Sequence, residues 1–255
     1  MNALEKEGIA TFPVVPSLSP VARFEFFRKT PERSAGVWVV RQGALRFALP
    51  VTTGPKPGMS DYLPAPHGLP GFSAPVEEVY PSLVPFLTLA DGKTYSASDG
   101  SDEIVPGVDG RSLKTFSKRW ARMGSKSGER FENGLSSEVR WRLDGDKLIR
   151  SETVTAVSDV DIREWKVAFP STGSSTTESG SAGGRTYVLK GREGDLKASF
   201  KTFDKVRFSL AAAGDSRLGK GVLGPIPLHV IAEAADLKLK KGEQINWELT
   251  LELLK

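Results

Sequence analysis

Residues 237–253, Leu237-Lys-Leu-Lys-Lys-Gly-Glu-Gln-Ile-Asn-Trp-Glu-Leu-Thr-Leu-Glu-Leu253, alternate apolar and polar side chains, strictly so from Ile245 onward. Successive side chains of an extended strand point to opposite faces, so Ile245, Trp247, Leu249, Leu251 and Leu253 share a buried face, while Asn246, Glu248, Thr250 and Glu252 share the other. With Leu237-Lys-Leu-Lys240 before it and the turn Lys241-Gly-Glu243 between, the stretch predicts a hairpin that closes a sheet. A second hairpin is written in Val139 to Leu143, Asp144-Gly-Asp146, and Lys147 to Val157, because Asp-Gly supplies the positive φ of a tight turn.

The same period recurs at Val37–Val40, Arg46–Leu49, Trp165–Phe169, Lys197–Phe203, Lys205–Leu210 and Pro227–Ile231. Pro20–Lys29 and Ser112–Arg122 are candidates for short helices, but neither holds an apolar face at period 3.6 for more than two turns. The expected fold is therefore all-β, a large antiparallel sandwich of the supersandwich kind spanning 37–255, with 1–36 as a connecting segment. Nine of the 17 prolines fall between Pro50 and Pro85, too many missing N–H groups for a ladder, so a long ordered loop is expected there. Pro170–Arg185, rich in Ser, Thr and Gly, reads as a flexible loop between strands.

Composition removes much chemistry. A chain of 255 residues is long enough to bury a core without staples. It has no cysteine, which excludes disulfides, thiolate metal sites and a thiol nucleophile. Two histidines, His67 and His229, cannot build a three-imidazole centre within one chain. Thirty-five basic against 31 acidic residues give +4, a mildly basic surface rather than that of a dedicated nucleic-acid binder. No run approaches the roughly 18 apolar residues of a membrane span, and MNALEKEGIA lacks the marks of an export signal. The compartment stays open: cytoplasmic for this chain as written, with the periplasm equally open to a longer parent. No glycine-rich phosphate loop is present, so no cofactor is expected.

Two segments offer polar chemistry. Asp61, Tyr62 and His67 lie in the proline-rich loop, where Tyr62 or His67 would serve as a base if a carboxylate-bearing sugar reached it; packing on prolines and turn capping are the plainer roles. Arg111–Arg130 holds Arg111, Lys114, Lys118, Arg119, Arg122, Lys126 and Arg130 against one acid, Glu129, with Phe116 and Trp120 interleaved. Such a strip would pair with an anionic polysaccharide, Trp120 stacking on a sugar, unless the strand is simply a solvated face with Trp120 turned inward. The Asp99-Gly-Ser-Asp102-Glu103 loop reads as turn chemistry rather than a calcium site. His229 reads as a strand histidine satisfied by a neighbour.

The 237–253 stretch is similar to the closing strands of the sandwich that follows the helical toroid in heparinase-like polysaccharide lyases and related bacterial proteins. Val139–Arg150 and Ile162–Pro170 resemble interior strands of that sandwich, and Asp61–Phe72 an excursion on it. The resemblance implies a sandwich half without its toroid, with Met1–Thr30 the remnant of a connection to a helical catalytic domain in a longer parent. No catalytic residue of that family carries over to a position here. Three functions follow as expectations. The first is a module that contacts an anionic polysaccharide through the Arg111–Arg130 strip, Arg111, Lys118, Trp120 and Arg122 foremost, and the loop carrying Tyr62 and His67. The second is a lyase abstracting a C5 proton with Tyr62 or His67 as base and Arg119 or Arg122 neutralising the carboxylate. The third is a structural support for an absent catalytic domain.

Overall fold

The computed structural model describes residues 19–54, 64–73, 82–97, 100–125, 129–181, 183–192, 194–212, 215, 220–221 and 224–254. Every named element among them is a strand. A three-stranded antiparallel sheet comprises β1 (Val21–Lys29), β2 (Ser34–Gln42) and β3 (Leu45–Thr52). The large sheet holds β4 (Phe86–Leu89), β5 (Thr94–Ser96), β6 (Glu103–Pro106), β7 (Ser112–Arg122), β8 (Arg130–Asp144), β9 (Lys147–Ala156) and β10 (Val160–Ser171). It continues with β11 (Ser175–Ser181), β12 (Gly184–Lys190), β13 (Asp195–Lys201), β14 (Arg207–Ala212), β17 (Leu228–Leu239) and β18 (Gln244–Leu254). β15 (Lys220–Gly221) and β16 (Gly224–Pro225) form a separate short pair.

The spatial order of the large sheet is β11-β12-β13-β18-β9-β8-β7-β5-β4-β10-β17-β14, with β6 also on β7. The sheet curls until its halves face each other: Trp165 of β10 meets Trp247 of β18 with ring centroids 6.0 Å apart. The fold is thus the all-β sandwich expected, and its core is the inward row of each strand. In β18 that row is Ile245, Trp247, Leu249 and Leu251, all buried, and burying such apolar side chains is the main source of stability.

The Asp144-Gly145-Asp146 hairpin forms as expected: Asp144 pairs with Lys147 across the turn and Gly145 has φ +56°. The Lys241-Gly-Glu243 turn does something else. β17 pairs with β10 and β14, whereas β18 pairs with β9 and β13, so the expected closing hairpin is replaced by a crossing from one layer to the other. The β9–β10 connection crosses beside it. Asp159 fastens the two, its carboxylate accepting from the Lys241 N–H at 2.9 Å and from Lys240 Nζ at 2.8 Å.

Three further expectations change. Pro20–Lys29 and Ser112–Arg122, the helix candidates, are strands β1 and β7, because each alternates faces and extended neighbours supply ladders. Ser175–Ser181, expected within a flexible loop, is an edge strand whose backbone pairs with β12. Strands begin at Val21 and Ser34, inside the segment expected as a connector. Gly36 in β2 lets the Phe24 ring of β1 lie against the backbone, since a Cβ there would stand 2.5 Å from Phe24 Cζ. Of the proline-rich stretch, 64–73 packs: Ala65, Leu69 and Phe72 are buried, and His67 exchanges backbone hydrogen bonds with Ala48 of β3 at 2.8 and 2.9 Å.

Candidate functional site

Three cations of the basic strip, Lys114, Arg119 and Arg130, already face carboxylates. Arg119 meets Asp102 at 2.7 Å and Arg130 meets the same carboxylate at 3.3 Å. Lys114 pairs with Glu138 at 3.3 Å, Arg111 donates to the side-chain oxygen of Gln42 at 3.1 Å, and Arg122 lies 4.3 Å from the centroid of Phe131. Asp102 also accepts from the backbone N–H groups of Lys118 and Arg119. Burial pushes the Asp102 carboxyl up, but the Lys118 amide, Arg119 and Arg130 outweigh it and hold its pKa below the ordinary aspartate value. Lys118 and Arg119 are exposed.

Trp120 is fully buried and donates its indole N–H to the Leu135 carbonyl at 3.2 Å, so it faces the core and is no platform for a sugar. The reason is period: position 120 falls on the inward row of β7. Tyr62 and Asp61 lie outside the described residues. His67 is half-buried and tied by its backbone to β3, and neither of the two clefts described next has His67, Arg119 or Arg122 in its wall.

The unusual chemistry is instead on the inner face of β8, β9 and β18. Register aligns Trp141, Arg150 and Leu249 in one row, with Val139, Glu152 and Trp247 in the next. Arg150 and Glu152 are buried, and their side chains meet at 2.8 Å. Glu152 further accepts from Ser137 Oγ at 2.6 Å and Trp247 Nε1 at 3.0 Å. The guanidinium carbon sits 4.2 Å from the Trp247 ring and 5.7 Å from that of Trp141, a cation–π arrangement strengthened by exclusion of water. Burial pulls the Arg150 pKa below its ordinary value, and Glu152 opposes the shift.

Two clefts flank this cluster. One is a groove of about 400 Å³. It has a topological origin: β13 stops pairing at Lys201↔Glu248, whereas β18 continues along β9 to Gln244↔Thr155, which leaves a notch beside Gln244–Trp247. Its wall carries Ser151, Thr153, Gln244, Asn246, Glu248 and Lys201, with Phe203 beside them. Thr153 donates to Asn246 Oδ1 at 2.6 Å and so orients the amide. The second cleft lies between β3 and the β7–β8–β9 face, with Arg150, Trp141, Thr52, Ser101 and Ser117 in its wall.

Arg150 and Glu152 escaped the sequence reading although a signal existed. They occupy inward positions of the alternating Leu148, Arg150, Glu152, Val154, Ala156 row, and charges on an apolar face need partners. Among the described residues, no cluster of three or more His, Asp or Glu side chains is placed to hold a metal ion.

No family model matches the chain, and no curated protein does. Solved structures with similar folds include a polysaccharide lyase, 13% identical with a TM-score of 0.43, covering 90% of this chain and 32% of that one. A putative aldose 1-epimerase from Escherichia coli K12 is 12% identical with a TM-score of 0.42, covering 86% and 99%. A GH36 alpha-galactosidase from Geobacillus stearothermophilus is 10% identical with a TM-score of 0.36, covering 93% and 41%. The chain spans about a third of the lyase. These likenesses single out no family, the heparinase-like lyases included.

Proposed function

We propose that this chain is a carbohydrate-associated β domain that holds sugar hydroxyls in the notch beside β18. The observation that supports this is the wall of the 400 Å³ groove, which presents an amide pair, hydroxyls, one ammonium and the carboxylates of Glu248 and the buried Glu152, with the Phe203 and Trp247 rings beside them. Small-molecule sites have this size and convergence of polar groups. Sugar hydroxyls both donate and accept, so a mixed wall suits them better than a row of cations. For the same reason the anionic-polymer form of the reading loses ground, since Arg119, Arg130 and Lys114 already have carboxylate partners. Recognition of the uncharged hydroxyl pattern is the form proposed, and binding rather than turnover.

The test is retention on a panel of immobilised neutral and uronic-acid polysaccharides, with ultraviolet absorbance recorded for unsaturated product. Retention weakened at least tenfold by Asn246→Ala or Glu248→Gln, in proteins of unchanged thermal midpoint, is the expected result. Retention that ignores both substitutions overturns the assignment to the notch. Product formed by the wild type, and lost in Tyr62→Phe or His67→Ala, would replace binding with the lyase reading.

A further inference from the structure

We infer that the second cleft, between β3 and the β7–β8–β9 face, is a receptor for a single carboxylate group, a site separate from the notch and independent of the carbohydrate reading. Its decisive feature is Arg150. This side chain is 2% exposed, yet only Nη2 has an acceptor, Glu152 Oε2 at 2.8 Å; Nε and Nη1 have no hydrogen-bond partner among the described residues. Buried polar groups are nearly always satisfied, and a buried guanidinium with two nitrogens idle is a strong exception.

Glu152 cannot make up the deficit. Its Oε2 already accepts from Arg150 and the Trp247 indole, and its Oε1 accepts from Ser137. The stacking of Trp247 and Trp141 on the guanidinium covers its surroundings with rings that offer no acceptor in the plane of the N–H bonds. What Nε and Nη1 lack is therefore an acceptor oxygen, and a guest in the cleft would bring it.

Size narrows the guest. The enclosed space is about 30 Å³, roughly twice the 10–15 Å³ that one water occupies on this measure. That admits a carboxylate but not a sugar ring. The floor is buried at Thr52, Ser101 and Ser117, whereas Pro64, Gly100 and Thr115 in the same wall are half-buried, so the space grades from interior to surface. The Ser101 hydroxyl is spent on the Thr52 carbonyl at 3.2 Å, which leaves the guanidinium as the dominant donor. Charge-assisted N–H···O bonds from arginine to carboxylate are among the strongest available to it.

A carboxylate has two sources, a free small acid or the C6 acid of a uronic sugar entering from the rim. Both are tested on the wild-type protein labelled with ¹⁵N. The Arg150 Nε–H resonance, identified by its nuclear Overhauser contacts to the Trp141 and Trp247 indoles, is followed during titration with sodium formate at constant ionic strength. Methyl glucuronide and methyl glucoside are titrated in parallel. The expected result is a saturable shift of that resonance with formate, accompanied by a rise in thermal midpoint and lost in Ser117→Leu, which fills the space. A shift with methyl glucuronide but not methyl glucoside would identify the sugar acid as a source, and formate alone would identify a free acid. Should the Arg150 resonance stay still with both carboxylates, or only exposed arginines such as Arg119 respond, the cleft holds water alone and the proposal falls. Because the wild type carries the readout, a Ser117→Leu protein that fails to fold does not spare it.

Discussion

Arg150 and Arg119 meet their carboxylates at nearly the same distance, 2.8 and 2.7 Å, but in different solvents. The Arg150 side chain is 2% exposed and Glu152 not at all, whereas Arg119 is 55% exposed and Asp102 19%. A third pair, Asp91 and Lys93, also meets at 2.8 Å with both partners about half exposed. Distance therefore says little about what each pair contributes. Solvent exposure does, because water competes for the exposed charges and screens the buried ones far less.

Breaking the buried pair should have the largest effect. Glu152→Ala leaves Arg150 charged, buried and without its carboxylate, and should cost about 3–5 kcal/mol, read as a lower urea midpoint at unchanged slope. The double variant Arg150→Met/Glu152→Leu should recover most of that loss, since it removes both charges together. If the double variant is as unstable as the single one, the pair contributes more than mutual neutralisation.

His229 sharpens the contrast from the other side, as a buried group held without charge. Burial pulls its pKa to about 4 from 6.5, with Asp215 opposing the shift. The unfolded chain thus takes up the proton first. Its contribution is complete above pH 6.5, declines as pH falls toward 4 and is exhausted below; the full span is roughly 3 kcal/mol. Urea unfolding between pH 7 and 5 should show the decline in the wild type and not in His229→Leu.

Asp102→Ala should cost about 1–2 kcal/mol, since it removes acceptors for two backbone N–H groups and two arginines at a partly wet site. It should also release Arg119 and Arg130, so that elution from a polyanionic column moves to higher salt. Lys93→Ala should leave the unfolding midpoint within experimental error, the same contact distance notwithstanding.

The sheet was legible wherever an inward apolar row met an outward polar one, as at Ile245–Leu253. Asp144-Gly145-Asp146 was legible too, because a tight turn constrains its own backbone. Lys241-Gly242-Glu243 shows the limit: a turn encodes a reversal of direction, not the identity of the neighbour, and β18 found β9 and β13 instead of β17. Ser175–Ser181 was misread for a related reason, since a marginal strand needs only a backbone partner and shows no apolar row. Trp120 was ambiguous until its face was known. Of the candidate sites, the charges at Arg150 and Glu152 could have been seen as intruders in an apolar row. The notch could not, because it is made by the early end of β13, and no residue records a missing neighbour.

The place of β18 between β13 and β9 has a consequence for how the molecule is made. Residues 195–201 have their β18 partners about 50 positions later, so on the ribosome β11, β12 and β13 emerge as a three-stranded ribbon cut off from β9. Until residues 244–254 arrive, the inward faces of Leu196, Ala198 and Phe200 and of Leu148 and Val154 belong to two unfinished halves, each with an open edge. Such late, long-range closure slows folding and favours capture of a second nascent chain. A chaperone acting on this protein would find its task at those two edges, in the interval before the final seam is sewn.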